Sequence, residues 1–346
     1  MSQSRLYLDH AATTPIVPTA REAMAEALER WANPSSPHAE GRAARAALED
    51  ARTRIKAALV WNGELIFTSG ASEAISIALR GFDAVASAVE HDAVLAAVGH
   101  ESRLPVDAEG QVELPHIAQG TRYAIQQVNN ETGVIQPLAD LVGDIREGGG
   151  LLFADCSQGA GKLPLPDADI IAVSAHKLGG PPGIGALLLR DLALLDPTGG
   201  QEKGYRRGTE NLPAVVGFAA ALEGGFDWLA EAVRLRAKLD AAVSEGGGEV
   251  VTEDSPRLAT IASYRMPGIS ASSQLIGFDM AGIAVSAGSA CSSGTLKASH
   301  VLAAMGWDAK AASEVVRVSF GPTTSEADID RFIAAWTSTK DRAQAA

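Results

Sequence analysis

Small and polar residues follow several short apolar runs of this sequence, each at the point where a run ends. After the run LIFT, four small residues open a helical stretch: Ser69, Gly70, Ala71 and Ser72. The free N–H groups and the dipole of such a helix start favour a phosphate. The later runs are followed by imidazoles, amides, a carboxylate and a lysine: His91, Asn129, Asn130, Asp155, Gln158, His176 and Lys177. Together these groups are the set that holds pyridoxal phosphate, which needs partners for its phosphate, ring and ring nitrogen and a lysine for its aldehyde.

Each of these residues also has an ordinary structural explanation. A carboxylate at a strand end, such as Asp155, commonly caps the helix that follows. Asparagines such as Asn129 and Asn130 shape turns, and Lys177 fits an exposed loop lysine. A turn of small residues before a helix is often only a tight connection. Their joint occurrence favours a cofactor site over these separate explanations.

The apolar runs between residues 64 and 190 alternate with helical stretches, which predicts a largely parallel sheet with helices on both faces. Ligands of such open sheets bind beyond the carboxyl ends of the strands. The stretch SEAISIALRGF predicts a buried helix face at Ile75, Ala78, Leu79 and Phe82. A long helix is predicted to end at glycines 246–248, which mark a candidate domain boundary.

Composition excludes several classes of function. The 346 residues carry a formal net charge of −13, so neither a nucleic acid nor a membrane surface is expected as the main partner. We find neither a secretory signal nor an apolar run of the roughly 18 residues that a membrane helix needs, which predicts a cytoplasmic protein. The two cysteines, Cys156 and Cys291, are too few for a disulfide framework and lack the spacing of a zinc site, so no metal is expected.

The sequence resembles the cysteine desulfurases, pyridoxal-phosphate enzymes of the class-V aminotransferase superfamily, over nearly its whole length. Ten motifs occur in that family's order: YLDHAATTP, NPSSPHAEGRAAR, IFTSGASEA, EHDAV, VNNETGV, DCSQGAGK, SAHKLGGPPGIGAL, RRGTEN, SAGSACSSG and VRVSFG. The resemblance implies the α/β fold type I of pyridoxal-phosphate transferases, with a mostly parallel seven-stranded sheet in a large domain at 16–245. A smaller α+β domain at 246–346 would carry the cysteine loop, and residues 1–15 would pack with it.

The resemblance also implies a role for each site residue. Lys177 would be the Schiff-base lysine, Asp155 the partner of the ring nitrogen and Gln158 a donor to the phenolic oxygen. His91 would stack on the ring and move protons, and Asn130 would lie beside the ring and substrate. The phosphate would contact Ala71, Ser72, Ser174, His176 and, across a homodimer interface, Thr209. Arg317 would bind the substrate carboxylate through two parallel hydrogen bonds, with a second contact from Asn33.

Cys291 lies among small residues in SAGSACSSG, which favours an accessible, mobile thiol over a buried one, whereas Cys156 is expected to be buried and inert. The implied reaction removes sulfur from L-cysteine and gives L-alanine and a persulfide on Cys291. An acceptor protein would then use the sulfur for iron–sulfur cluster assembly or for tRNA thiolation. The alternatives are a selenocysteine lyase or another class-V pyridoxal-phosphate enzyme, and a non-catalytic relative, against which the presence of Lys177 and Asp155 argues.

Overall fold

The structure, a computed structural model, describes residues 5–30, 32–99, 103–114, 116–288 and 298–344. The helices in these ranges are α1 (Pro18–Glu29), α2 (Ala39–Ala58), α3 (Ala71–Leu79), α4 (Asp92–Val98), α5 (Leu138–Glu147), α6 (Leu212–Glu223), α7 (Leu229–Glu245), α8 (Ala271–Met280), α9 (His300–Ala304), α10 (Ala309–Ala312) and α11 (Glu326–Gln344). The strands are β1 (Leu6–Tyr7), β2 (Glu64–Thr68), β3 (Ala84–Ser87), β4 (Arg103–Leu104), β5 (Arg122–Ala124), β6 (Leu151–Asp155), β7 (Ile170–Ser174), β8 (Gly185–Leu189), β9 (Glu249–Val250), β10 (Ile261–Arg265), β11 (Ile283–Ala284) and β12 (Val315–Ser319).

A seven-stranded sheet forms the centre of the larger part of the molecule. Its strand order is β2-β8-β7-β6-β5-β3-β4. Strand β8 runs antiparallel to both of its neighbours, and the other pairs are parallel. The predicted mostly parallel seven-stranded sheet is therefore confirmed.

Both faces of this sheet are buried. Along β6, Leu152 and Ala154 pack into one apolar cluster, while Phe153 packs into another. The first cluster includes side chains of α1, α2, α5 and α6, and the second includes side chains of α3 and α4. Because alternate side chains of a strand point to opposite faces, the central strands are apolar at nearly every position.

Helix α3 confirms three of the four positions predicted for its buried face. Ile75, Ala78 and Leu79 are buried and belong to the second apolar cluster of the sheet. The helix ends at Leu79, so Phe82 lies beyond it and is only half-buried. The helical spacing of Phe82 was coincidental, because Arg80 already adopts an extended conformation, with a ψ of 125°, that ends the helix.

A second apolar core lies around β9, β10 and β12, which form an antiparallel three-stranded sheet. Its largest side chains include Phe278, Phe332 and Trp336, and the rings of Phe278 and Phe332 stack with their centroids 5.0 Å apart. Strand β1 pairs in parallel with β11, which brings the start of the chain to this core. Helix α7 ends before Gly246 as predicted and packs against the same core. The domain boundary at residue 245 stays a prediction, and we propose that it falls earlier, between α6 and α7.

The segment 9–14 leaves β1 and passes from the second core to the edge of the large sheet. Asp9 forms an isolated parallel β-bridge with Ser319, the last residue of β12. A few residues later, the Thr14 N–H donates to the His176 carbonyl over 2.8 Å. This segment therefore links the two cores at the place where the predicted site residues lie. No helix in the described part of the chain is long and apolar enough to cross a membrane.

Candidate active site

Two adjoining cavities lie at the carboxyl edge of the large sheet. The larger has a volume of about 350 Å³ and is lined at the ends of β2, β6 and β7. The smaller, of about 130 Å³, opens towards the second core and is lined by Arg317, among others. His91, Asn130 and Lys177 line both cavities. A molecule in either cavity therefore meets the same lysine and imidazole.

Lys177 is held at both of its ends by the segment 9–14. It closes a short 3-10 helix, Ala175–Lys177, directly after β7. Its Nζ donates to the carbonyls of Ala11, over 2.7 Å, and of Ala12, over 2.8 Å. Its own carbonyl accepts from Thr14 Oγ1 and from Lys162 Nζ, each over 3.2 Å. The lysine thus points into the cavities from a turn with little freedom to shift.

Asp155 and Gln158 line the larger cavity at the end of β6. One carboxylate oxygen of Asp155, Oδ1, accepts from Ser157 N over 2.9 Å and Ser157 Oγ over 2.6 Å. Asp155 therefore closes a turn and does not cap a helix, because the next element after β6 is strand β7. Its Oδ2 has no hydrogen-bond partner among the described residues. Gln158 Nε2 donates to the Ala11 carbonyl over 2.9 Å, whereas its buried Oε1 has no partner within the described residues.

The start of α3 forms the opposite wall of the larger cavity. Gly70 precedes the helix with a φ of 150°, a conformation that favours glycine. A Cβ on Gly185 of β8 would lie only 2.7 Å from the Gly70 Cα, so this close approach excludes larger residues. The backbone N–H groups of the first turn of α3 lie along this wall. The cavity beside them is lined by Ala71, Ser72 and Ser174. Hydroxyl groups at a helix start suit a phosphate.

Two histidines of the site are held in defined states. His91 Nδ1 accepts a hydrogen bond from the Ala93 N–H over 3.1 Å, so its proton is on Nε2. His176 Nδ1 lies 3.1 Å from Thr13 Oγ1. Burial, together with the charge of Lys177, lowers the pKa of His176 to about 4. His176 is therefore neutral at pH 7 and contributes hydrogen bonds, not charge.

Arg317 lies on β12 and is only 6% exposed. Its Nη1 donates to the Asn130 carbonyl over 2.8 Å, and its Nη2 donates to Asp9 Oδ1 over 2.7 Å. Its buried Nε has no partner in the described part of the chain. The Nε–H and the second Nη2–H share one edge of the guanidinium, which is the edge that meets a carboxylate through two parallel bonds.

Three predicted site residues lie elsewhere or outside the described ranges. Asn33 is exposed, and its Oδ1 accepts from the Ser35 N–H over 2.9 Å in a turn outside both cavities. Thr209 is also exposed and lines neither cavity of this single chain. Cys291 falls outside the described residues, and its roles stay predictions like those of Asn33 and Thr209. Cys156 is fully buried, as predicted, and burial raises the pKa of its thiol, which favours the less reactive protonated form.

Sequence reasoning missed several residues that build the smaller cavity. Asp9 pairs with Arg317, the Ala11 carbonyl holds Lys177, and Glu131 and His300 line the wall. Asp9, Ala11 and Glu131 stand inside the motifs YLDHAATTP and VNNETGV, but no role was assigned to them. Ala11 acts through its backbone, which no residue type reveals. His300 lines the cavity because it is the first residue of α9, and α9 starts beside the cavity.

Comparison with known proteins decides the family of the chain. The family described as aminotransferase class-V matches residues 6–332. The chain belongs to the class-V aminotransferases. An IscS-like cysteine desulfurase from Mycobacterium tuberculosis is 37% identical to it over 94% of this chain and 93% of its own. The predicted resemblance to the cysteine desulfurases is confirmed, and with it the dependence of this family on pyridoxal phosphate.

Solved structures show the same fold. A NifS-like protein from Rickettsia africae ESF-5 matches with a TM-score of 0.89 and 28% identity, over 97% of this chain and 99% of its own. SspA in complex with cysteine matches with a TM-score of 0.78 and 28% identity, over 92% of this chain and all of its own. The predicted type I fold is confirmed.

The larger cavity fits pyridoxal phosphate by the chemistry of its own residues. The unpartnered Oδ2 of Asp155 is a carboxylate acceptor for a protonated ring nitrogen. Gln158 Nε2 keeps a second N–H beyond the one that it gives to Ala11. The start of α3 supplies N–H groups for a phosphate, and Lys177 supplies the amine. Each part of the cofactor therefore meets a group of the right kind.

Proposed function

We propose that this chain removes the sulfur of L-cysteine, releases L-alanine and keeps the sulfur as a persulfide on Cys291. The observation that carries the proposal is the wall shared by the two cavities, where Lys177 and His91 face both the cofactor-type groups and Arg317. A small amino acid that binds Arg317 in the smaller cavity thereby presents its α-carbon to Lys177. The matching relatives are cysteine desulfurases, which supports L-cysteine as that amino acid.

The larger cavity would hold the cofactor through nine residues: Ala71, Ser72, His91, Asn130, Asp155, Gln158, Ser174, His176 and Lys177. When bound, pyridoxal phosphate supplies an electron-withdrawing ring that stabilises negative charge on the α-carbon of an amino acid. Asp155 would keep the ring nitrogen protonated, because a carboxylate beside it favours the charged form. The neutral His176 and the serine hydroxyls would donate to the phosphate.

Arg317 would orient the substrate by its carboxylate. Its Nη2 is held by Asp9 and its Nη1 by the Asn130 carbonyl, so the guanidinium plane is set before substrate arrives. The amine of Lys177 would then take the proton from the α-carbon of the bound L-cysteine. His91, with its proton on Nε2, would donate a hydrogen bond or a proton into the same space.

Cys291 would act as the sulfur acceptor. Its thiolate forms an S–S bond with the substrate sulfur while the C–S bond of the substrate breaks, and the electron pair of that bond stays with carbon. The carbon takes a proton, and the product leaves as L-alanine. The chain reaches the smaller cavity with Gly288, three residues before Cys291. This short distance along the chain supports the assignment.

The working enzyme, in this proposal, is a homodimer in the cytoplasm, where thiols stay reduced. Thr209 is exposed on a single chain and is therefore accessible to a second copy, whose phosphate it would contact. Asn33 would add its substrate contact in the assembled site. An acceptor protein would take the persulfide sulfur for iron–sulfur cluster assembly or tRNA thiolation. Solution sizing of the active holoenzyme tests the dimer, and a fully active monomer would contradict it.

Two measurements test the proposed function. The first is the release of L-alanine from L-cysteine with a reductant present. The second is the mass of the protein after one turnover without the reductant. We expect the wild type to gain one sulfur atom and Cys291→Ala to lose both alanine release and the added mass. Cys156→Ala is the matched control, because its thiol is buried away from the cavities, and it should keep both. An active Cys291→Ala would refute the persulfide on Cys291, and a holoenzyme that makes no alanine would refute the desulfurase.

A further inference from the structure

Two histidines line the smaller cavity. Each carries its ring proton on Nε2, but backbone hydrogen bonds occupy opposite nitrogens of the two rings. His91 and His300 both line this cavity, together with Lys177 and Arg317. A histidine that offers an N–H can only donate, and one that offers a bare nitrogen can only accept. Which nitrogen faces the cavity therefore decides the chemistry of each ring.

His300 is held as a proton acceptor. Its Nε2 lies 2.8 Å from the carbonyl oxygen of Glu90. A carbonyl only accepts, so Nε2 carries the proton and the neutral ring keeps a lone pair on Nδ1. Within the described residues, Nδ1 makes no hydrogen bond, and it lies 3.9 Å from Asp92 Oδ1. The His300 side chain is 31% exposed and lines the smaller cavity.

His91 is held in the opposite way. Its Nδ1 already accepts from the Ala93 N–H at the start of α4, so its Nε2–H is the polar group left for the cavity. Neither imidazole can exchange its role without breaking a backbone hydrogen bond. The cavity therefore contains one proton donor and one proton acceptor, which is the arrangement that acid–base chemistry on a single substrate requires.

Charged groups from three elements face His300. They are Asp92 from α4, Glu131 from the turn after Asn130, and Arg317 from β12. Glu131 Oε2 accepts from Ser299 Oγ over 2.6 Å, and Ser299 caps α9 and so places His300. Burial raises the pKa of the Glu131 carboxyl. An imidazolium at His300 would be stabilised by the Asp92 carboxylate and opposed by Arg317.

We propose that His300 is a catalytic base that takes the proton of the substrate thiol during sulfur transfer. This inference rests on the proposed function and deepens it. The S–H bond of L-cysteine breaks, its electron pair stays on sulfur, and an N–H bond forms at His300 Nδ1. As the C–S bond breaks and the S–S bond to Cys291 forms, the transferred sulfur therefore becomes the anionic end of the persulfide. The imidazolium later gives its proton to solvent or to the product. No oxidant or reductant enters this step.

The kinetic test compares wild type, His300→Gln and the exposed-histidine control His116→Gln as holoenzymes with L-cysteine between pH 7 and pH 9. Gln keeps an N–H for the Glu90 carbonyl but has no basic nitrogen. We expect His300→Gln to be about 10²-fold slower than wild type at pH 7. The deficit should shrink towards pH 9, since a thiol ionises by itself with a pKa of about 8.5. His116→Gln should match wild type throughout.

A second variant separates the base from a structural role. Asp92→Asn removes the carboxylate that lies 3.9 Å from His300 Nδ1, so an imidazolium at His300 loses the charge that would stabilise it. The maximal rate should fall severalfold. In the cofactor-free protein, nitrogen-15 NMR should show His300 protonated on Nε2 and bare on Nδ1, and His300→Gln assigns the signal.

The outcomes distinguish the proposed desulfurase function from the proposed role of His300. If the wild type releases no L-alanine, the proposed function fails. If the wild type is active and His300→Gln is equally active, or slower by one constant factor at every pH, His300 is not a base for the thiol. A proton on Nδ1 in the NMR spectrum would also overturn the inference, whatever the activity.

Discussion

The two cavities of the active site are built in different ways. The larger one takes its polar residues from the ends of adjacent strands and from the starts of α3 and α4, all at one edge of one sheet. The smaller one takes its residues from segments that lie far apart in the chain, from Ala11 to Arg317, and from both cores. Regular structure therefore places the cofactor-type groups, whereas docking between the cores places the substrate-type groups.

Specific contacts between the cores hold the smaller cavity together. Arg317 on β12 is bound to Asp9 and to the Asn130 carbonyl, and Ser299 is bound to Glu131. His300 is bound to the carbonyl of Glu90. None of these contacts is part of a helix or strand ladder. The comparison teaches that changes to the cofactor-type groups of the larger cavity should affect the chemical step, and that changes to Arg317, the carboxylate-binding group of the smaller one, should affect the affinity for L-cysteine.

The largest expected effect is that of Asp155→Asn in the larger cavity. The amide cannot stabilise a protonated ring nitrogen, so kcat should fall by about 10²-fold or more, while KM for L-cysteine changes little. Steady-state kinetics and an absorbance titration with the cofactor measure both quantities. Asp140→Asn, an exposed aspartate in the first turn of α5, is the matched control. An unchanged kcat in Asp155→Asn would remove the distinction drawn between the cavities.

A smaller effect, on affinity, is expected for Arg317→Lys in the smaller cavity. An ammonium cannot form two parallel bonds to a carboxylate, so KM for L-cysteine should rise about tenfold to a hundredfold. The value of kcat and the cofactor titration should stay near those of wild type. Arg265→Lys on the neighbouring strand β10, whose arginine pairs with Glu249 and Glu314, is the control. A drop in kcat at unchanged KM would place Arg317 with the chemical step.

The smallest expected effect concerns the stability of the segment that joins the two regions. Burial, and then the charge of Lys162, lowers the pKa of His10 from 6.5 to about 4. The unfolded chain therefore binds more protons between these values, so stability that is fully present above pH 6.5 is lost as the pH falls towards 4. At pH 5 the loss is about 2 kcal/mol.

His10→Gln should remove this dependence, because its amide does not titrate. Urea unfolding at pH 7 and pH 5 measures the difference, and we expect the variant to lose less stability than wild type on acidification. His116→Gln, an exposed histidine, should behave as wild type. Equal losses in wild type and His10→Gln would show that the segment does not sense pH through His10.

Much of the larger cavity could be predicted because strand ends coincide with the ends of apolar runs. Asp155 closes β6 and Lys177 follows β7 as expected, and Ser72 lies in the first turn of α3. Apolar residues that recur every two positions indicate a strand, and those that recur about every 3.6 positions indicate a helix, so both elements can be recognised in the sequence. Phe82 shows the limit of such periodicity, since the extended backbone at Arg80 ends the helix before it.

Among the residues that line the smaller cavity alone, only Arg317 was predicted, and then only from a family resemblance. The Ala11 carbonyl that holds Lys177 has no signature in the sequence, because every residue carries a carbonyl. The placement of His300 depends on where Ser299 caps α9 and on which carbonyl its ring meets. Asn33 carries a recognisable motif, yet the structure places it in an exposed turn outside both cavities.

The sequence alone determined the family, the sheet and the kinds of groups that stand at its edge, because these follow from local periodicity and from motifs in a given order. The tertiary structure alone decided which nitrogen of each histidine is bound by the backbone and which nitrogen of Arg317 has no partner among the described residues. Those outcomes depend on hydrogen bonds between residues as far apart as Asp9 and Arg317. Such bonds form only after the second core docks on the sheet, and no local pattern specifies them.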